Sequence, residues 1–145
     1  MKNKLFKSIA KFVIEIIIVT VILMLFSIFT EGMFLIGVPS VEDVNKVTIS
    51  YPNVTEEVKE ITDKKEIETA IKLTGFLKYS IFEKADESGE PMITITYYLK
   101  DDETISVSAN DKTVWWKERV YKLKDDETFI NLTEGIFFLE DLVDE

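Results

Sequence analysis

The feature that most constrains this chain is a run near its start, Phe12 to Phe29. It reads FVIEIIIVTVILMLFSIF and holds a single charge, Glu15. At a rise of about 1.5 Å per residue, a helix over this run spans about 27 Å, close to the hydrocarbon thickness of a bilayer. Lipid offers no partner to backbone N–H and C=O groups, so a helix is the one single-segment conformation that satisfies them. Lys2, Lys4, Lys7 and Lys11 all precede the run, and Glu31 is the first charge after it. That asymmetry predicts a cytoplasmic amino terminus, with residues from about Glu31 onward outside the cell membrane.

A cleavable signal has a shorter apolar core and a small-x-small site just beyond it. Here only Thr30/Gly32 or Val38/Ser40 could serve, and no cysteine is present to carry a lipid. The run therefore predicts an uncleaved, single-pass signal-anchor, with a cleaved signal as the alternative. Glu15 follows Lys11 by four residues, one turn on. A charge this near the membrane edge reaches the headgroups by snorkelling, and its other use would be a contact with a second membrane helix. The expected organisation is a basic tail over 1–11, the anchor and an apolar extension over 12–36, a linker over 37–45 and one domain over 46–145.

About 105 residues beyond the anchor suffice for one domain. The first 38 residues carry 4 Lys+Arg and 2 Asp+Glu; the remaining 107 carry 13 and 25, a net of −12. Nucleic acid and anionic lipid both call for clustered Lys/Arg, so the domain is not expected to bind nucleic acid or to dock closely on anionic lipid. Such a charge suits a cationic peptide, a basic envelope protein or simple solubility. There is no cysteine, so the hydrophobic core must hold the exported domain by itself. There is no histidine, which removes the usual general base and the commonest metal ligand.

Along the domain, Val44, Val47, Ile49 and Tyr51 predict a first strand, and 54–62 a short edge strand or hairpin return. Asp63 with Glu66 has the spacing of a capping box and opens a helix whose core face is Ile67, Ala70, Ile71 and Leu77. Tyr79, Ile81 and Glu83 suggest a strand. Met92 to Leu99 is the strongest strand, rich in β-branched and aromatic residues. Thr104 to Ser108 returns after an acidic turn, Val114 to Lys117 follows, and Arg119 to Leu123 is its continuation or its partner. From about Asp126 a closing helix is predicted, with Asp125 and Asp126 at its positive end and Phe129, Leu132, Ile136, Leu139 and then Leu142 or Val143 inward. The fold class is α+β: an N-terminal transmembrane helix, then an antiparallel sheet of about five or six strands with two helices packed on one face.

Two features are candidate binding residues. The motif Lys100-Asp-Asp-Glu-Thr104 recurs as Lys124-Asp-Asp-Glu-Thr128. Three adjacent carboxylates, Asp101, Asp102 and Glu103, could meet cationic groups. As a calcium loop the motif lacks alternate ligand spacing and a glycine at the bend, so no metal or other cofactor is assigned. In Trp115-Trp116, neighbouring strand residues face opposite sides, so one ring enters the core and the other meets solvent. Trp116 is expected to be the exposed one. Serines without a histidine lack an activating base, and separated carboxylates show no cleft in sequence, so the domain is expected to be non-catalytic.

The order VPSVEDVNKVTI (38–49), ITDKKEIETAIKLTGFL (61–77), ESGEPMITITYYLKDDETISV (87–107), VWWKERVYKL (114–123) and a final helix resembles a family of small exported domains of unknown function in Gram-positive bacteria. That resemblance carries the opening Pro39 to Val44, a Pro-x-x-x-acidic-aliphatic pattern, and covers nearly the whole domain. It implies a signal peptide, lipidated cysteine or membrane helix ahead of the domain, and it carries no site residues. The expected function is a membrane-tethered, extracytoplasmic binding or interaction domain, immunity- or sensor-like toward a cationic peptide. The alternatives are an accessory subunit of an envelope enzyme or membrane complex, and a carboxylate-based envelope hydrolase.

Overall fold

The computed structural model describes residues 2–124 and 127–138. The first element, α1 (Lys2–Glu31), contains an apolar span over Phe6–Glu31 of mean hydropathy 2.9 with none of it buried against protein. Length and composition make it a candidate membrane-spanning or signal helix. The hydroxyls of Thr20 and Thr30 donate to the Ile16 and Phe26 carbonyls, each at 2.9 Å, so both polar side chains are satisfied within the helix.

The rest is α+β. The strands are β1 (Met33–Phe34), β2 (Val44–Ser50), β3 (Val58–Ile61), β4 (Lys78–Ser80), β5 (Ile93–Leu99), β6 (Thr104–Ala109), β7 (Thr113–Trp116) and β8 (Arg119–Leu123); the helices are α2 (Lys64–Phe76) and α3 (Thr128–Phe137). All eight strands form one antiparallel sheet in the order β1-β4-β8-β7-β6-β5-β2-β3. Eight exceeds the expected five or six for two local reasons. Lys117 and Glu118 both take left-handed backbone (φ 47° and 61°), closing a two-residue hairpin that makes β8 the partner of β7. The apolar extension after α1 also adds a strand that was not expected. Met33 pairs with Tyr79 and Phe34 with Lys78, Leu35 N–H donates to the Leu77 carbonyl, and Leu35 is buried in the core.

The inner face of the sheet is apolar in strict alternation: Val47 and Ile49, Ile93, Ile95 and Tyr97, Val107 and Ala109, Val114 and Trp116. Helix α2 covers it with Ile67, Ala70, Leu73 and Thr74, and Leu77 follows at its end. Ile71, expected inside, is partly buried against the core, and Leu73, not expected there, is fully inside. Asp63 caps α2 as predicted, accepting from the N–H groups of Lys65 (2.9 Å) and Glu66 (3.2 Å). Helix α3 presents Phe129, Ile130, Thr133 and Phe137 to the same core, while Leu132 and Ile136, expected inside, are exposed. The stripe is rotated because Thr133 can enter the core: its hydroxyl donates to the Phe129 carbonyl at 2.6 Å. Asp125, Asp126, Leu139, Leu142 and Val143, expected in or at this helix, lie outside the described residues.

Tyr97 ties sheet to helix. It is fully buried, its hydroxyl donates to the Ala70 carbonyl (2.8 Å), and the Thr74 hydroxyl lies 2.5 Å away. Burial pushes its ionisation well above the ordinary tyrosine value. Tyr97→Phe keeps the ring and strips both bonds, so a loss of about 1–3 kcal/mol is expected in urea denaturation. A change near zero would show that the hydroxyl adds nothing to the core.

Beside α1, the turn after β4 is built by Ser80, whose Oγ accepts from the N–H groups of Phe82 and Glu83. Glu83 then pairs with Lys122 and Lys124. Hydrogen bonds from Lys122 and Lys124 hold the Glu83 carboxyl down to about 2, from an ordinary 4.5. A carboxyl depressed in the folded state stabilises above its unfolded value, and that contribution disappears as pH falls through its folded value. The wild type is therefore expected to lose its melting-temperature advantage over Glu83→Gln between about pH 4.5 and 2. Parallel melting curves down to pH 2 would refute the clasp.

Candidate functional site

The outer face of the sheet carries what the inner face leaves over. Cross-strand register sets Thr48 beside Thr96, Thr96 beside Ser106, Thr94 beside Ser108, Ser108 beside Trp115, and Trp115 beside Val120. The Thr94 and Ser108 hydroxyls hydrogen-bond at 2.8 Å, which fixes them on the same side. The result is a hydroxyl-rich surface with a partly exposed Trp115 among serines and threonines.

On this face a groove opens because two neighbouring strands differ in length. β6 pairs with β5 from Thr104 (against Tyr98) to Ala109 (against Ile93), but its register with β7 begins only at Val107, opposite Trp116. Thr104 and Ile105 therefore have a strand on one side and open space on the other, because the β7–β8 hairpin has turned away. The space is a shallow groove of about 680 Å³, lined among others by Thr104, Ser106, Ser108, Trp115, Lys117 and Arg119. Its lining combines a sheet edge, an aromatic face, hydroxyls, two cations and the Glu118 carboxylate between them.

The tryptophans occupy the reverse of the expected positions. Trp116 is 4% exposed, its Nε1 donates to the Ile36 carbonyl at 3.3 Å, and the Lys117 ammonium lies 5.3 Å from its ring centre. Val114 and Trp116 are two residues apart, so the strand period places both inside. Trp115 is the ring that solvent reaches.

The acidic turn lies next to the groove. Asp101, Asp102 and Glu103 are all exposed. Asp101 Oδ1 accepts from the Glu103 N–H at 3.1 Å, and Asp102 takes a left-handed conformation (φ 67°) that aspartate tolerates. Much of the acidic spelling thus serves turn geometry. A smaller hollow of about 240 Å³ there is lined by Pro39, Asp43, Leu99, Lys100, Asp101 and Ile105, so Ile105 borders both depressions. Among the described residues, no three His/Cys/Asp/Glu side chains are grouped to hold a metal ion. The two KDDET copies follow different strands, β5 and β8: Lys100 N–H donates to the Asp43 carbonyl, and Lys124 N–H to that of Lys78. Glu15 lies apart from all of this on α1, with the Lys11 ammonium 3.8 Å away.

The structure thus brings Trp115 and the Asp101–Glu103 turn onto adjoining surface, while Trp116, which also borders the groove, is almost wholly buried. Lys117 and Arg119 were expected beside an exposed tryptophan and do line the groove; the open edge at Thr104 was not singled out from sequence. The alternation Thr94-x-Thr96 and Ser106-x-Ser108 signals a polar outer face, but nothing local announces that β7 stops short of β6. No protein-family model, curated protein or solved structure matches the chain.

Proposed function

We propose that this chain is a membrane-tethered, non-catalytic binding domain of a Gram-positive-type envelope, its amino terminus cytoplasmic and its sheet domain outside. Its groove takes an extended segment of a peptide or envelope protein, added as a strand along the open part of β6. The observation that carries this is the register: Thr104 and Ile105 keep β5 on one side and face open groove on the other, with Trp115 close by. Strand addition draws affinity from main-chain hydrogen bonds and specificity from side-chain contacts, and a half-exposed tryptophan supplies an apolar anchor. Charge orients the segment. Its basic end meets Asp101, Asp102 and Glu103, and its neutral or acidic end meets Lys117 and Arg119. The net charge of −12 beyond residue 38 favours encounter with basic partners. Glu15 is left out of this reading, because Lys11 is its partner on the same helix.

The test is titration of the detergent-solubilised full chain with short peptides of basic, neutral and acidic composition, at low and moderate salt. Basic peptides are expected to bind most tightly, with an association rate that falls as salt rises and falls again in Asp101→Asn/Asp102→Asn. Equal binding of acidic peptides, or no response to the double substitution, would overturn the assignment of the acidic turn.

A further inference from the structure

The anchor enters the domain without slack. Gly32 follows the last helical residue and Met33 is already paired in the sheet. Around this exit the domain exposes apolar side chains that its core does not use: Phe34 at 52%, Phe76 at 61%, Phe82 at 56%, with Ile81 next to Phe82. Such patches on a soluble surface mark an interaction site.

We propose that these residues form a second membrane contact, a foot on which Ile81 and Phe82 sit in the interfacial layer of the bilayer while Lys78 and Lys124 reach lipid phosphates. The proposal rests on reading α1 as a membrane anchor. Depth is the first argument. The Phe82 ring lies 5.6 Å from that of Phe29, and Phe29 is the last residue of the apolar run. If Phe29 is at the membrane boundary, Phe82 is at the same level. Shape is the second: Ser80 fixes the turn from within and Glu83 clasps it to Lys122 and Lys124, so the apolar tip is held in place before it meets lipid.

Charge is the third argument. Among the described residues, three lysines (Lys78, Lys122, Lys124) pair here with two carboxylates, Glu31 and Glu83, in a domain that is otherwise strongly acidic. A hollow of about 540 Å³ lined by Thr30, Glu31, Phe34, Phe76, Lys78 and Lys124 lies at this junction, aromatic and cationic as a headgroup site requires. The acidity of the whole domain argues against lipid docking only when its lysines are dispersed, and here they are not.

The chain has no cysteine, so single-cysteine variants accept one fluorescent label each. Full chains carrying the label at Val19→Cys, Ile81→Cys or Val58→Cys would be reconstituted into phosphatidylcholine/phosphatidylglycerol vesicles. Quenching by lipids spin-labelled near the headgroup or near the chain end then reads depth. Val58 is the control for the label itself, since it is 56% exposed and lies on β3 at the far end of the sheet order. The expected result is deep quenching at Val19, blue-shifted emission with shallow quenching at Ile81, and water-like emission at Val58. Water-like emission at Ile81 with Val19 deeply quenched would overturn the foot and leave the anchor standing. Loss of quenching at Val19 would overturn both. A blue shift at Ile81 without lipid quenching would assign the surface to a protein partner, and equal quenching at Val58 would assign the effect to the label; either outcome overturns the proposal.

Discussion

Trp116→Ala is expected to lower the unfolding free energy by about 3–5 kcal/mol, while Trp115→Ala, one residue away, costs about 1 kcal/mol or less. Trp116 is 4% exposed in the core that also holds Val107 and Val114, and its indole N–H holds the Ile36 carbonyl. Truncation leaves a cavity and removes the tie between the segment after β1 and the sheet. Trp115 stands on the outer face opposite Ser108 and Val120, where solvent fills the space it vacates. The effect on binding runs the other way. A tryptophan at the centre of a recognition surface typically carries about 2 kcal/mol, so Trp115→Ala should weaken peptide binding roughly 30-fold. The two tryptophans are the only ones in the chain, so each single-tryptophan variant reports its own environment by fluorescence. Urea denaturation and peptide titration of both variants decide the matter. Greater destabilisation from Trp115→Ala would reverse the assignment of the two faces.

That pair also shows how far local pattern reaches. A period of two places Val114 and Trp116 together, but which side is inward depends on partners in β6 and β8, and only the register supplies them. Asp63 and the long strand β5 were legible because each signal is self-contained: a capping side chain with Glu66 three residues on, and an unbroken β-branched and aromatic run. Strand β1 was not, since two residues carry no periodicity and its pairing with β4 depends on Leu77 and Tyr79 far along the chain. The β7–β8 hairpin was legible only as one of two readings, because its Lys117-Glu118 corner adopts left-handed backbone without the Asn or Gly that usually announces it. Helix α3 misled for a different reason, because a satisfied Thr133 displaced Leu132 and Ile136 from the core. Of the candidate site, the acidic turn and a tryptophan could be read directly; the groove could not, because it is a difference in length between two strands.

Substituting Gly32 and Gly75 by alanine should give opposite signs, and the first tests how α1 is joined to the domain. Gly32 has φ +84°, and its N–H donates to the Ile28 carbonyl at 3.1 Å, closing the end of α1 in a left-handed cap. A Cβ there would lie 2.8 Å from the Tyr79 carbonyl and 2.9 Å from Lys124 Cγ. The lysine can move aside, but the carbonyl belongs to a strand paired on both edges. Left-handed strain of about 1–2 kcal/mol adds to that displacement, so Gly32→Ala is expected to cost about 2–3 kcal/mol. Gly75 lies within α2 with nothing inside 4 Å of an added Cβ, so Gly75→Ala should stabilise by about 0.5–1 kcal/mol. Denaturation of both variants in detergent micelles reads the two signs. The loss at Gly32 should fall on the pairing of Met33 with Tyr79, and with it on the fixed placement of Phe82 against Phe29. If Gly32→Ala were instead as benign as Gly75→Ala, the domain would hang from its helix by a free joint. The proposed membrane placement of the Ile81–Phe82 turn would then lose its support.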